Sequence, residues 1–217
     1  DAAAGSMTVT LSVTEGTLTV TAGGSGAVVT NSGTAAVTIT GTVTQINNLL
    51  STDATSTVSY LDNTDTPSAS TTLTLSVNDN GNTGGGALTN SDTATINITA
   101  VNDAPVATIT PLTYAATEQT TLTLHGTGLS IADVDAGGAT NMVATLSVGE
   151  GTLTVVPGTS GVTVGGSGTS SVTLTGSVAQ INALLASAGG ATGTITYLDN
   201  TDTPSASTVL TLSVNDA

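Results

Sequence analysis

Eleven consecutive residues, YLDNTDTPSAS, occur twice, at Tyr60–Ser70 and at Tyr197–Ser207. The surrounding segments repeat too. Leu11–Val20 (LSVTEGTLTV) returns as Leu146–Val155 (LSVGEGTLTV), and Thr44–Leu50 (TQINNLL) returns as Ala179–Leu185 (AQINALL), both 135 positions on. From Tyr60 onward the offset is 137, so the second copy carries two extra residues after its QIN segment. A period of about 136 residues describes a string of whole domains rather than the thin coils of a solenoid.

The chain holds less than two full periods. Asp1 aligns with Asp135, so the first copy has no counterpart of Pro105–Val134; the second reaches Asp216 without a counterpart of Asn80–Asp103. The expected organisation is a first repeat over residues 1–103 that lacks its N-terminal strand region, and a second over 104–217 that lacks its C-terminal strand. A window on a longer array explains this. A missing edge strand donated by a neighbouring chain is the alternative.

Alternation of period two runs through both copies. Leu73, Leu75 and Val77 share one face of their segment, and Leu210, Leu212 and Val214 share the same face of its copy. Thr and Val fill the remaining positions, which suits half-buried strands on a pleated surface. Glycine clusters such as Gly23-Gly24-Ser25-Gly26 and Gly165-Gly166-Ser167-Gly168 separate the strands. The fold class expected is all-β, with tandem β-sandwiches. One short helix per repeat is expected at the sandwich edge. Thr42-Val43-Thr44-Gln45 and Ser177-Val178-Ala179-Gln180 fit the S/T-x-x-Q capping box. Ile46, Leu49 and Leu50, and Ile181, Leu184 and Leu185, follow as apolar stripes at i, i+3, i+4.

Charge bounds the function. Lys+Arg is 0, Asp+Glu is 15 and the formal net charge is −15. With no cationic side chain to neutralise phosphate, neither nucleic acid nor an anionic membrane surface is an expected partner. Phe, Trp and Cys are all 0, so the core must be aliphatic and no disulfide can staple it. A domain of this composition calls for another staple, and bound metal is the obvious one. An enzyme is not expected: His125 is the sole histidine, there is no Cys or Lys to act as nucleophile or base, and His125 reads as a strand-end residue.

The carboxylates sort by comparing the copies. Asp1/Asp135, Glu15/Glu150, Asp62/Asp199, Asp65/Asp202 and Asp79/Asp216 occur in both, whereas Asp53 does not recur and reads as a solvated loop acid. Glu15 and Glu150, in TEGT and GEGT, read as turn residues. The others gather in oxygen-rich bends: Asp133-Val134-Asp135, Asp62-Asn63-Thr64-Asp65, Asn78-Asp79-Asn80-Gly81 and Asn102-Asp103-Ala104-Pro105. Asp, Asn and Gly are favoured in turns for backbone reasons alone. Four such clusters in a chain without Lys or Arg point further, to a hard cation such as Ca²⁺, which takes 6–8 oxygens. Each bend supplies part of such a shell, so ligands must converge from several segments.

At these residues the chain resembles a known family. Ala94–Val106, ATINITAVNDAPV, is similar to the strand-and-linker signature that closes cadherin-type repeats, and Asp133-Val134-Asp135 to the D-x-D of the repeat that follows. Thr40–Asn63 is closer to the cadherin-like variant of chondroitin-sulfate-proteoglycan repeats, which also occurs in large bacterial RTX-type surface adhesins. The resemblance implies tandem Greek-key β-sandwiches of the cadherin or immunoglobulin kind, with Ca²⁺ at the repeat junctions. Asn102 and Asp103 would serve from the linker, Asp133 and Asp135 from the following repeat, and Asp79, Asp65 and Asp62 from the preceding one. Glu118 would act at its own repeat's far end with Asp202 and Asp216, and Asp199 is the counterpart of Asp62. The linker has Ala104 where a second Asn is usual, and no L-D-R-E motif is present, which implies fewer or weaker ions than in cadherins.

The function expected is a calcium-rigidified structural repeat, an extended stalk in an extracellular adhesin or surface filament at the cell surface. Its partners would be neighbouring repeats of the same polypeptide and identical chains in a filament. Two other readings are a self-assembling fibre or sheath subunit joined by edge strands, and a Ca²⁺-dependent glycan- or cell-binding module.

Overall fold

The computed structural model describes residues 5–82, 85–136, 141–186, 189–190 and 192–216; Asp1 lies outside them. The chain divides into two compact units, Asp1–Val101 and Asn102–Ala217. The division falls two residues earlier than the repeat boundary expected from sequence. The Asn102–Asp103 linker therefore belongs with the second unit, where its hydrogen bonds are made.

Both units are all-β, with a short helix each. In the first, β1 (Met7–Val13), β3 (Val28–Thr30), β4 (Ala36–Gly41), β6 (Ser70–Asn78) and β7 (Thr89–Asn97) form one sheet in the order β3-β4-β1-β6-β7. β2 (Thr17–Thr21) and β5 (Thr57–Leu61) form the other. The alternation has its expected result: Val9, Leu11 and Val13 of β1 turn inward, and Leu11 stands opposite Val37 on one side and Leu75 on the other. Leu18, Val20, Val37 and Ile39 complete the centre of this core.

The second unit repeats the plan with additions. β11 (Met142–Val148), β13 (Thr163–Gly165), β14 (Ser171–Gly176) and β16 (Leu210–Asp216) form a sheet in the order β13-β14-β11-β16. β12 (Thr152–Val156), β15 (Thr194–Leu198) and β9 (Leu122–Thr123) form a second, and β8 (Val106–Ile109) pairs with β10 (Leu129–Ala132). Among the described residues of the first unit nothing corresponds to β8 to β10, and their effect is visible in the second core. Leu124, Leu129 and Ile131 are buried against β11, α2 and β15, and Ile195 of β15 is 0% exposed. Val58, at the matching place in β5, is 43% exposed.

Both helices begin as expected. In α1 (Val43–Asn47) Gln45 N donates to Thr42 Oγ1 (3.3 Å) and Thr42 N to Gln45 Oε1 (2.9 Å). In α2 (Val178–Ala186) Gln180 N donates to Ser177 Oγ (3.2 Å) and Ser177 N to Gln180 Oε1 (2.9 Å). The reciprocal pair satisfies two backbone N–H groups that no helical turn could. Ile46 and Leu49, and Ile181, Leu184 and Leu185, are buried. The helices differ afterwards: α1 passes after five residues into a π-helical turn, Asn48–Thr52, whereas α2 runs nine residues. Asn182 of α2 clamps β10, accepting from Ile131 N (2.9 Å) and donating to Ile131 O (2.7 Å). Asn47, its copy in the first unit, has no such strand beside it among the described residues. Among the described residues no helix is long and apolar enough to cross a membrane.

Candidate metal centre

The antiparallel ladders bring three acidic segments to one end of the second unit. Val106, at the start of β8, pairs with Ala132, at the end of β10. The residues just before β8 therefore lie beside those just after β10, which sets Asn102-Asp103 against Asp133–Asp135. Asp216, the last residue of β16, pairs with Met142 at the start of β11, on the strand that the Asp135 segment leads into. Asp103 N donates to Asp135 Oδ2 (2.8 Å), and the N–H groups of Asp135 and Ala136 both donate to Asp133 Oδ1 (3.3 Å each). The Asn102 carboxamide donates to Asp216 Oδ2.

The two carboxyls of Asp133 and Asp135 are hydrogen-bonded to each other, and their affinities for protons part accordingly. That hydrogen bond, with burial second, pushes Asp133 above its ordinary value. The Asp103 N–H, with the Asp133 carboxyl second, holds Asp135 below its own. Two half-buried carboxylates share a site that no Lys or Arg can neutralise. The donors here are all hard oxygens, a set that suits Ca²⁺ and not the softer metals. Asp133, Asp135, Asp216 and the Asn102 carboxamide are the residues that could hold such an ion. Among the described residues, however, no three His, Cys, Asp or Glu side chains gather closely enough to form a metal cluster.

The remaining acids lie elsewhere. Asp62 and Asp65 follow β5 and precede β6, whereas Asp79 follows β6, so the nine-residue strand holds them roughly 25 Å apart. They do not meet at one ion, contrary to the grouping that the resemblance implies. The same strand order separates Asp202, before β16, from Asp216 at its end, so Glu118 and Asp202 share no site with Asp216. At that far end Gln119 Nε2, not Glu118, reaches Asp202 Oδ1 (2.9 Å), and Gln119 N donates to Asp199 O (2.6 Å).

Protein donors serve these carboxylates. Asp62 Oδ1 accepts from Thr64 N (3.0 Å) and Thr64 Oγ1 (2.7 Å), and Asp199 Oδ1 accepts from Thr201 N and Oγ1 at the same distances. The threonine hydroxyl, then its N–H, lowers each Asp below its ordinary value. Glu15 accepts from Ser68 N (3.0 Å) and Glu150 from Ser205 N (3.1 Å). Each ties the segment after the D-N-T-D loop back to the turn that joins the two sheets, between β1 and β2 or between β11 and β12. Burial raises Tyr60 and Tyr197, which keeps each hydroxyl a donor to Asp62 or Asp199. Each ring also lies against a glycine at positive φ: a Cβ on Gly16 or Gly151 would come within 2.6 Å of the tyrosine Cε2. Asp79 closes the β6–β7 connection by accepting from Gly81 N (2.9 Å) and Leu88 N (2.7 Å), which lower it. These acids build loops.

His125 Nδ1 accepts from Ile195 N (3.1 Å), extending the contact between the residues after β9 and β15. A groove of about 540 Å³ in the second unit was not evident in the sequence. It opens between Tyr114 and Leu124 on one side and Tyr197, Thr208 and Leu210 on the other. Its only sequence signal was the unequal length of the two repeats. No protein-family model matches the chain, and neither a curated protein nor a solved structure matches it.

Proposed function

We propose that the chain is a structural repeat of an extracellular adhesin or surface filament, a stalk element stiffened by Ca²⁺, with no catalytic role of its own. The observation that carries this reading is the Asp133–Asp135 pair, met by the linker through Asp103 N and set beside Asn102 and Asp216, in a chain without a single Lys or Arg. Bound there, a divalent cation supplies positive charge among oxygens that otherwise repel. Asp135 is already oriented by the Asp103 N–H, and Asp133 by its own turn. The linker is then held to the body of the second unit while the ion is bound and loosened when it is removed. Thr- and Ser-rich outer faces and loops closed by their own carboxylates suit an exposed load-bearing element.

Thermal unfolding and small-angle scattering in millimolar CaCl₂ and in EDTA test the reading. A Ca²⁺-dependent rise in the melting temperature of the second unit, with a narrower distribution of chain lengths, is expected. Identical curves in both buffers exclude calcium as the stiffening agent.

A further inference from the structure

Asn80-Gly81 is the chain's only Asn-Gly pair. Glycine behind an asparagine leaves the next amide nitrogen unshielded, so this is the link at which the backbone most readily attacks a side chain. In the first unit the pair sits at the centre of the tight turn Asp79–Asn82, where Asn82 N donates to Asp79 O (3.2 Å). Both central residues have positive φ, +57° for Asn80 and +74° for Gly81, as in a type I′ turn. Each reacting group is held. Gly81 N donates to Asp79 Oδ1 (2.9 Å), and the same oxygen is fixed by Leu88 N (2.7 Å). The Asn80 carboxamide is drawn to the start of β1, where its Nδ2 donates to Ser6 O (3.0 Å) and Thr8 Oγ1 (3.2 Å). A left-handed residue has ψ near about +47°, which turns the following nitrogen away from its own Cβ. Ring closure between Gly81 N and Asn80 Cγ needs the two on the same side.

We propose that Asn80 is a site of spontaneous deamidation that the fold keeps closed and that opening of the β6–β7 connection releases. Once the connection opens, Gly81 N attacks Asn80 Cγ, its proton passes to solvent, and the carboxamide nitrogen leaves as ammonia. The cyclic imide then takes up one water. Opening at one carbonyl gives aspartate in place; opening at the other gives isoaspartate, whose main chain runs through the former side chain. Water is the only co-reactant. Either product is one-way. Aspartate cannot donate to Ser6 O, and it sets a second carboxylate next to Asp79 in a chain with no Lys or Arg to offset it. Isoaspartate lengthens the backbone by a methylene, so the turn no longer closes. Both products free the start of β1 from the end of β6, and the pair records how often this corner of the sandwich has opened. Asp79 is the positioning residue: its carboxylate holds the attacking nitrogen out of reach.

The full chain and a synthetic peptide of Ser76–Asn82, incubated side by side at mildly alkaline pH, test this. Reaction at Asn80 is followed by the small mass gain that replaces NH2 with OH and by isoaspartate content. The folded chain should react at least about tenfold more slowly than the peptide, because reaction waits on local opening. Asp79→Ala frees the Gly81 N–H and should close most of that gap. Amide exchange at Gly81 should rise in parallel, while exchange at Val9 and Leu11 stays slow and shows that the sheet is intact. Asp79→Asn keeps an oxygen acceptor in the same place and should retain the protection, which decides the matter should the alanine variant not fold. The proposal is overturned if the peptide stays intact or if the folded chain reacts as fast as the peptide. It is equally overturned if folded Asp79→Ala reacts no faster than the parent, or if folded Asp79→Asn reacts as fast as the peptide.

Discussion

Ile195 and Val58 occupy the same place in the two repeats, and truncating each to alanine should have very different consequences. Ile195 is 0% exposed, sealed by the residues after β9, where Leu124 N donates to Ile195 O (2.9 Å). Removing three carbons there forfeits about 0.8 kcal/mol each, and the unfilled cavity raises the total to about 3 kcal/mol. Val58 is 43% exposed, so the loss of its two carbons costs at most about 1 kcal/mol. For a domain of this size about 4 °C accompanies each kcal/mol, so the second unit should melt roughly 12 °C lower in Ile195→Ala and the first no more than about 4 °C lower in Val58→Ala. Differential scanning calorimetry combined with exchange mass spectrometry assigns each transition to its unit. Comparable shifts for the two variants would refute the argument that β8 to β10 are what seal the second core.

Acid should unfold the chain through the loop carboxylates. Asp62, Asp79 and Asp199 are held below the ordinary 3.8 by neutral donors, so their stabilising contribution is complete above that value and is lost as pH falls through the lower folded values. Asp199→Asn should flatten the acid limb of a melting-temperature profile, and an unchanged limb would remove Asp199 from the account. Asp133 runs the other way: its raised folded value favours the protonated form, so calcium affinity should fall as pH drops through it, which isothermal titration at stepped pH will show. Asp135→Asn should abolish the calcium-dependent rise in melting temperature while Asp62→Asn leaves it in place; equal loss in both would move the ion to another site. Gly151→Ala, which forces a Cβ to 2.6 Å from Tyr197 at a φ of +84°, should destabilise the second unit by more than about 1 kcal/mol in denaturant titration.

Local features were legible in the sequence because they depend on neighbours a few residues away. The capping boxes at Thr42–Gln45 and Ser177–Gln180 formed as their spacing required, and the alternation in Met7–Val13 turned Val9, Leu11 and Val13 inward. The candidate site was only partly legible. Asp133-x-Asp135 and Asn102-Asp103 came together as neighbouring ladder ends, yet Asp79 and Asp65, similar in composition and only 14 positions apart, are held at opposite ends of β6. Composition marks an acid as a possible ligand; strand length and direction decide which end of the sandwich it reaches.

By itself the sequence determined a repeated all-β chain with capped helices, an aliphatic core and no cation to balance its acids, since each follows from residue identity and short-range periodicity. Only the tertiary structure decided which carboxylates meet, and why two near-identical repeats differ in burial at Ile195 and Val58 and in cover at Thr71 and Thr208. Burial belongs to a residue's neighbours in space. Here those neighbours include β8 to β10 around Ile195 and β7 over Thr71.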